Sequence, residues 1–293
     1  MGISLKKGDI IGVAAPSARF DRRLFDKGLG CLNDMGFRTR VHEEIFGKLR
    51  YLAGTDRARA GIVSRLFLDP EVKAVISVRG GFGAMRILDF LDWDTIRRNP
   101  TLFIGFSDAT ALIAALVAKE GVEAVHGPNL VSLAKANQTT LEGVYRALTG
   151  ALTEIAVPDA RCLAGGRAKG RLVGGNLATL VHMIGTPYQP DFSGGILFLE
   201  DVGEPAYKID RMLSQMKMAG CFASIKGVVT GSFEDCANPD YIPEIVSEVF
   251  GGMDIPVMMG LESGHGETNR SLIMGQQVVM DADRSRIIWE NDA

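Results

Sequence analysis

The feature that most limits the fold of this chain is the alternation of short apolar runs with helix-patterned segments through its first 130 residues. Asp9–Pro16 (DIIGVAAP), Val72–Arg79 (VKAVISVR), Thr101–Phe106 (TLFIGF) and Glu123–His126 each read as a buried strand. Between them lie helical patterns: Arg22–Met35, which Gly36 can end; Thr55, as N-cap, through Leu68; Ala84–Leu91, with a further turn or helix to Arg98; and Asp108–Lys119. Strands separated by helices of this length predict a parallel sheet with right-handed crossovers. Such sheets place ligand sites beyond the carboxyl ends of their strands. Pro16, Arg79-Gly80-Gly81, Ser107 and His126 all fall at such ends, so a single crevice can hold them.

Leu130–Gly166 reads as a connecting region, polar around Asn137–Thr140, with one helix near Leu141–Leu148. A second unit begins near Lys169. Its pattern is a strand at Gly195–Val202, a helix at Ala206–Met218, a strand at Ile225–Phe233, a helix near Tyr241–Phe250 and a strand at Ile255–Leu261. Ser271–Met280 and Arg286–Trp289, around Asp281-Ala282-Asp283, predict an antiparallel hairpin. The expected division is an α/β domain over residues 1–130, a linker over 131–166 and a β/α domain over 167–293. A chain of 293 residues has length enough for two buried cores.

Composition excludes some functions. The net charge of −3, with no Lys/Arg block, removes the case for a nucleic-acid surface. No run reaches the roughly 18 apolar residues of a membrane span, and MGISLKKGDI lacks the pattern of a secretory signal. Cys31, Cys162, Cys221 and Cys236 are scattered without a C-x-x-C pair, which fits reduced thiols in the cytoplasm and no metal site or cofactor.

In Ile104-Gly105-Phe106-Ser107-Asp108-Ala109 a strand runs directly into a helix with Ser107 at the junction. A serine so placed projects from a sharp turn as a nucleophile, in a G-x-S-x-A variant of the hydrolase elbow. Gly105 and Ala109 are small enough for strand and helix to approach closely, and the Asp108 N–H would face a developing oxyanion. The plain alternative is that Ser107 caps the helix.

Arg79-Gly80-Gly81-Phe82-Gly83 also links a strand to a helix. It can cradle an anion, supply a second oxyanion donor from Gly81, or simply turn the chain. The first option is the rival in which the protein is a non-catalytic ligand binder using Gly80–Gly83. Arg79 and Gly80 are candidate substrate contacts, Arg79 because a guanidinium matches a carboxylate.

Four histidines offer a base. His182 reads as a packed or capped core residue and His42 has no informative neighbours. His126 ends a strand near the crevice, as a competing base or a substrate contact. His265 lies between two glycines in Glu262-Ser263-Gly264-His265-Gly266-Glu267. Glu200 and Asp201 end an apolar strand, and alternation lets only one of them face a given site. Periodicity alone leaves both pairs open.

Five blocks in order, RGGFGAMRILDFLDW (79–93), IGFSDATALIAAL (104–116), GRLVGGNLATLVHMIGTPY (170–188), ILFLEDVGEPAYKIDRMLSQM (196–216) and GHGETNRSLIMG (264–275), resemble the LD-carboxypeptidase family of serine peptidases. That family also contains the microcin-immunity peptidases. The resemblance spans nearly the whole chain. It implies a Ser–Glu–His triad on Ser107, Glu200 and His265, choosing Glu200 over Asp201 and His265 over His126. It further implies an N-terminal flavodoxin-like domain, a C-terminal swivelling β/α domain, a homodimer and no cofactor. Members release a terminal D-alanine from an L-configured centre in murein tetrapeptides during cell-wall recycling; immunity members cut an amide to a nucleotide-like group. One departure is Met274, where the family has proline. An α/β-hydrolase-type esterase shares the Ser–acid–His order but would carry its acid in one continuous sheet.

Overall fold

The computed structural model describes residues 4–120 and 122–290; the first three residues of the amino-terminal stretch weighed above lie outside the described residues. Strands β1 (Ile10–Ala14), β2 (Arg38–Val41), β3 (Val72–Ser77), β4 (Leu102–Gly105) and β5 (Ala124–His126) pair in parallel in the order β2-β1-β3-β4-β5. This is the flavodoxin-like order, with its switch point between β1 and β3. Every position of β1, β4 and β5 is buried, as a parallel sheet covered on both faces requires. β2 has no counterpart in the sequence reading. Its residues Arg-Thr-Arg-Val are only part-buried or exposed at the sheet edge, so the strand shows no apolar run.

Helices Arg22–Asp34, Asp56–Leu68 and Thr110–Glu120 connect these strands. Thr55 starts the second of them, its Oγ1 accepting the Ala58 N–H at 3.2 Å. Asp21 does the same for the first by accepting from Leu24.

The second sheet takes in β6 (Glu154–Ala156), β7 (Arg161–Ala164), β8 (Arg167–Asn176), β9 (Gly195–Val202), β10 (Gly227–Glu234) and β11 (Val257–Met259). After β12 (Leu272–Met274), β13 (Gln277–Asp281) and β14 (Arg286–Trp289) complete it, in the order β6-β14-β13-β8-β9-β10-β11-β7. β8 to β11 run parallel, and antiparallel strands close both flanks. The chain thus forms the expected mixed α/β architecture, a flavodoxin-like sheet followed by a β/α unit.

Two expectations need correction. The stretch expected to connect the two units supplies β6 and β7, which end the second sheet on opposite sides. Ser271–Met280 is not one arm of a hairpin: β12 pairs antiparallel with β5 in the first sheet, and only β13 and β14 form the hairpin. The reason is the free edge of β5. All three residues of β12 are buried, and pairing them there covers backbone groups that would otherwise lie open. The carboxy-terminal part of the chain therefore crosses back and ties the two sheets together.

Helix Thr110–Glu120 packs on β8, and Thr110 Oγ1 accepts the Asn176 N–H at 3.1 Å. This contact joins the start of the helix after Ser107 to the end of β8, whose Asn176 lies opposite Glu200 on β9. Among the described residues no helix is long and apolar enough to cross a membrane.

Candidate active site

β4 ends at Gly105 and Phe106 remains extended, with φ −156° and ψ −175°. Ser107 then takes φ +61°, a left-handed conformation uncommon for a residue with a Cβ. Such backbone costs about 1–3 kcal/mol and tends to collect at functional sites. The helix cap is Phe106, whose carbonyl accepts the Ala109 N–H at 3.2 Å, so Ser107 does not hold the capping position. The tight junction needs glycine at 105, where a Cβ would lie 2.8 Å from Ala109 Cβ.

The glycine loop lies against this turn. A Cβ on Gly80 would come within 2.8 Å of both Cβ and Oγ of Ser107 and 3.4 Å from the Asp108 nitrogen. Gly81 and Gly83 have φ +101° and +135°, which L side chains rarely adopt. Two contacts hold the loop rigid. The buried Asp108 carboxylate accepts the Ala84 N–H at 2.8 Å, and the fully buried Arg59 guanidinium donates to the carbonyls of Gly83, at 2.8 Å, and Pro16. The first free amide of helix Ala84–Ile87 is thus taken by the protein's own carboxylate, which removes the donor that an anion cradle would offer there. Gly80→Ala should lower kcat/KM about 100-fold with only a modest fall in melting temperature, because the new methyl displaces Ser107 Cβ and its hydroxyl by the order of an ångström. Steady-state kinetics beside a thermal melt checks this; full activity would mean that the loop yields freely.

His265 and Glu200 meet across 65 residues: Nδ1 and Oε2 are 2.7 Å apart. Glu200 is fully buried at the end of β9, and the imidazole is mostly buried. The glycines around His265 have separate reasons. A Cβ on Gly264 would strike Glu200 Oε2 at 2.5 Å, and the Gly266 N–H donates to Ser232 Oγ at 3.2 Å. Asn269 Oδ1 accepts the Gly264 N–H at 3.1 Å, while its own N–H donates to Thr140 Oγ1 at 3.0 Å, so helix Gln138–Leu148 braces the loop. Phe106, the residue before Ser107, packs its ring 4.8 Å from that of His265, tilted by 51°. Burial pulls the His265 pKa down, but the Glu200 hydrogen bond and the charges of Glu200, Asp201 and Glu234 outweigh it and hold it above the ordinary imidazole value.

Strand alternation sends Asp201 the other way. It accepts from Asn176 Nδ2, Ala178 N and Val202 N at 2.8–2.9 Å, capping helix Leu177–Met183. Burial pushes its pKa up to about 6, against those three donors and with the Glu200 charge adding. His126 is fully buried between Phe106 and Phe198, so it offers no surface to a substrate, contrary to the expected contact. His182 is exposed on its helix rather than packed in the core, with Nδ1 2.5 Å from the Ala178 carbonyl. Arg79 is exposed and donates to the Arg19 carbonyl at 2.9 Å. Phe106, Arg59, Ser232 and Asn269 escaped the sequence reading, because each acts through a partner remote in the chain.

Residues 11–127 match the LD-carboxypeptidase N-terminal domain and residues 169–280 the LD-carboxypeptidase C-terminal domain. The chain belongs to the LD-carboxypeptidase family. It is 33% identical over 304 aligned positions to the probable murein peptide carboxypeptidase of Bacillus subtilis, covering 97% of this chain and 93% of that one. The muramoyltetrapeptide carboxypeptidase of Oxalobacter formigenes superposes with a TM-score of 0.85 at 29% identity, over 97% and 100% of the two chains. The immunity protein MccF bound to glutamyl sulfamoyl guanosine gives 0.91 at 27% identity, over 98% of each. This member of the LD-carboxypeptidase family is accordingly a serine-type hydrolase, and relatives of both kinds share its fold.

Proposed function

We propose that this hydrolase cleaves the amide between an L-configured centre and a terminal D-amino acid in a murein tetrapeptide, through an acyl-enzyme on Ser107. His265 Nε2 takes the hydroxyl proton as Oγ attacks the scissile carbonyl. Glu200 holds the Nδ1–H tautomer and stabilises the imidazolium. The Asp108 and Gly81 N–H groups carry the oxyanion. Collapse of the tetrahedral intermediate breaks the C–N bond, and His265 gives its proton to the leaving amine. Water, deprotonated by the same imidazole, then attacks the ester carbonyl and regenerates the Ser107 hydroxyl. No metal or cofactor takes part. In this reading Arg79 and the Gly80 backbone are the contacts for the terminal carboxylate. In this reading the enzyme acts in the cytoplasm on recycled wall peptides, as a homodimer.

The observation that carries the reading is the 2.7 Å pair of His265 with a fully buried Glu200, walled by the ring of the residue that precedes Ser107. The acid and the serine stand on different sheets, unlike a single-sheet α/β-hydrolase. A second reading, hydrolysis of aminoacyl-nucleotide amides, is favoured by the close superposition on MccF. A substrate panel separates them. Mass spectrometry should detect release of D-alanine from murein tetrapeptide at a kcat/KM at least about 100-fold above cleavage of a glutamyl sulfamoyl nucleoside, roughly what a few missing contacts are worth. The opposite ranking would transfer the enzyme to the second reading.

A further inference from the structure

Glu200 uses only half of its carboxylate on His265. Oε1 is buried and has no hydrogen-bond partner among the described residues, and the same holds for both ring nitrogens of His126. The two groups face the same interior. Phe198 and Glu200 are two apart on β9 and so project from the same face, and the Phe198 ring meets His126 edge-on at 4.8 Å and 70°. From the other side the Phe106 ring packs on both imidazoles, 4.8 Å from His265 and 6.2 Å from His126. A neutral imidazole carries one N–H donor, and the unused oxygen is an acceptor with nothing to accept. Buried polar groups of this kind are normally satisfied.

We propose that His126 is a positioning residue for the acid: its ring N–H reaches Glu200 Oε1 through one buried water, so that one carboxylate is held between two imidazoles. The inference rests on the reading of Glu200 and His265 given above. A donor on Oε1 fixes the carboxylate plane and keeps Oε2 aimed at His265 Nδ1. It also draws charge from the carboxylate, which restrains how far Glu200 raises the basicity of His265. Burial pulls the His126 pKa down to about 4, so it donates as a neutral ring and adds no cation beside His265. The charged groups acting on the two imidazoles are Glu200 and Asp201 on β9 and Glu234 on β10.

The test uses His126→Phe, which keeps the ring's packing without a donor, and His126→Gln, which keeps a donor. In the phenylalanine variant kcat should fall about 10- to 100-fold with KM little changed, the size expected for one charge-assisted hydrogen bond. The acid limb of kcat/KM should move up by about one pH unit as Glu200 and His265 both become more basic. Glutamine should recover most of both changes. His265 is also titrated by NMR in the resting protein, which needs no substrate; its midpoint should follow the same order even if the proposed hydrolysis fails. Should phenylalanine not fold, wild-type protein remains: His126 should show a single exchange-protected ring N–H whose shift moves on Glu200→Gln. A phenylalanine variant with the wild-type His265 titration, equal losses in both variants, or a His126 proton indifferent to Glu200 would each overturn the assignment.

Discussion

Ser107→Ala should lower kcat by about 10⁴- to 10⁶-fold, the loss expected when the nucleophile of a serine triad is removed and only binding and oxyanion stabilisation remain. The substitution changes little else. Alanine at φ +61° carries the same left-handed strain as serine, Phe106 still caps the helix, and the space beside Gly80 grows by one oxygen. The melting temperature should therefore stay close to wild type while turnover disappears. Single-turnover release of the amine product, beside labelling by a serine-directed fluorophosphonate, makes the comparison. Undiminished release would assign the nucleophile to another group.

Glu200→Gln is expected to cost about 10⁴-fold in kcat/KM, as for other triads whose acid becomes an amide. An amide facing Nδ1 with its NH₂ forces the proton onto Nε2, where it blocks acceptance of the serine proton. The pH profile supplies the sign. In the wild type His265 lies above 6.5, because its hydrogen bond to Glu200 and the surrounding negative charges prevail over burial. Activity requires the neutral ring, so the acid limb of kcat/KM should have its midpoint above 6.5. In the variant the largest favourable contribution is gone and burial dominates, so the residual activity should show a midpoint shifted to lower pH. Asp201 and Glu234 still favour the cation, which limits the shift. An acid limb that stays in place would detach Glu200 from the titration of His265.

These two experiments bear on residues of unequal legibility. Ser107 stood out because the run from β4 into a helix, with Gly105 and Ala109 beside it, is a local pattern, and local geometry sets its backbone. The buried parallel strands were equally plain, because strands covered on both faces read as unbroken apolar runs. β2 was hidden by its half-exposed edge position, and β6 and β7 by their shortness and exposure at the limits of the second sheet. Leu272–Met274 looked like part of a hairpin since nothing in its own residues distinguishes pairing with β13 from pairing with β5. His182 and His126 were misjudged in opposite directions: a ring on the outer side of a helix is exposed, and one at a strand end is sealed beneath Phe106 and Phe198.

The chain's own order of residues determined the strand–turn–helix elements, the sharp turn at Ser107 and the glycines that let the loop lie against it, since each depends on neighbours a few positions away. By local pattern Glu200 and Asp201 are equivalent, and so, nearly, are His126 and His265; the family resemblance chose Glu200 and His265. Only the tertiary structure shows those two side chains meeting, 2.7 Å apart. The register of β8 on β9 turns Asp201 toward Asn176, and β9 presents Glu200 toward a loop braced by a helix more than a hundred residues earlier in the chain. Pairing of this carboxylate with this imidazole is set by where β9 meets the loop that follows β11, and that is a property of packing that no local pattern encodes.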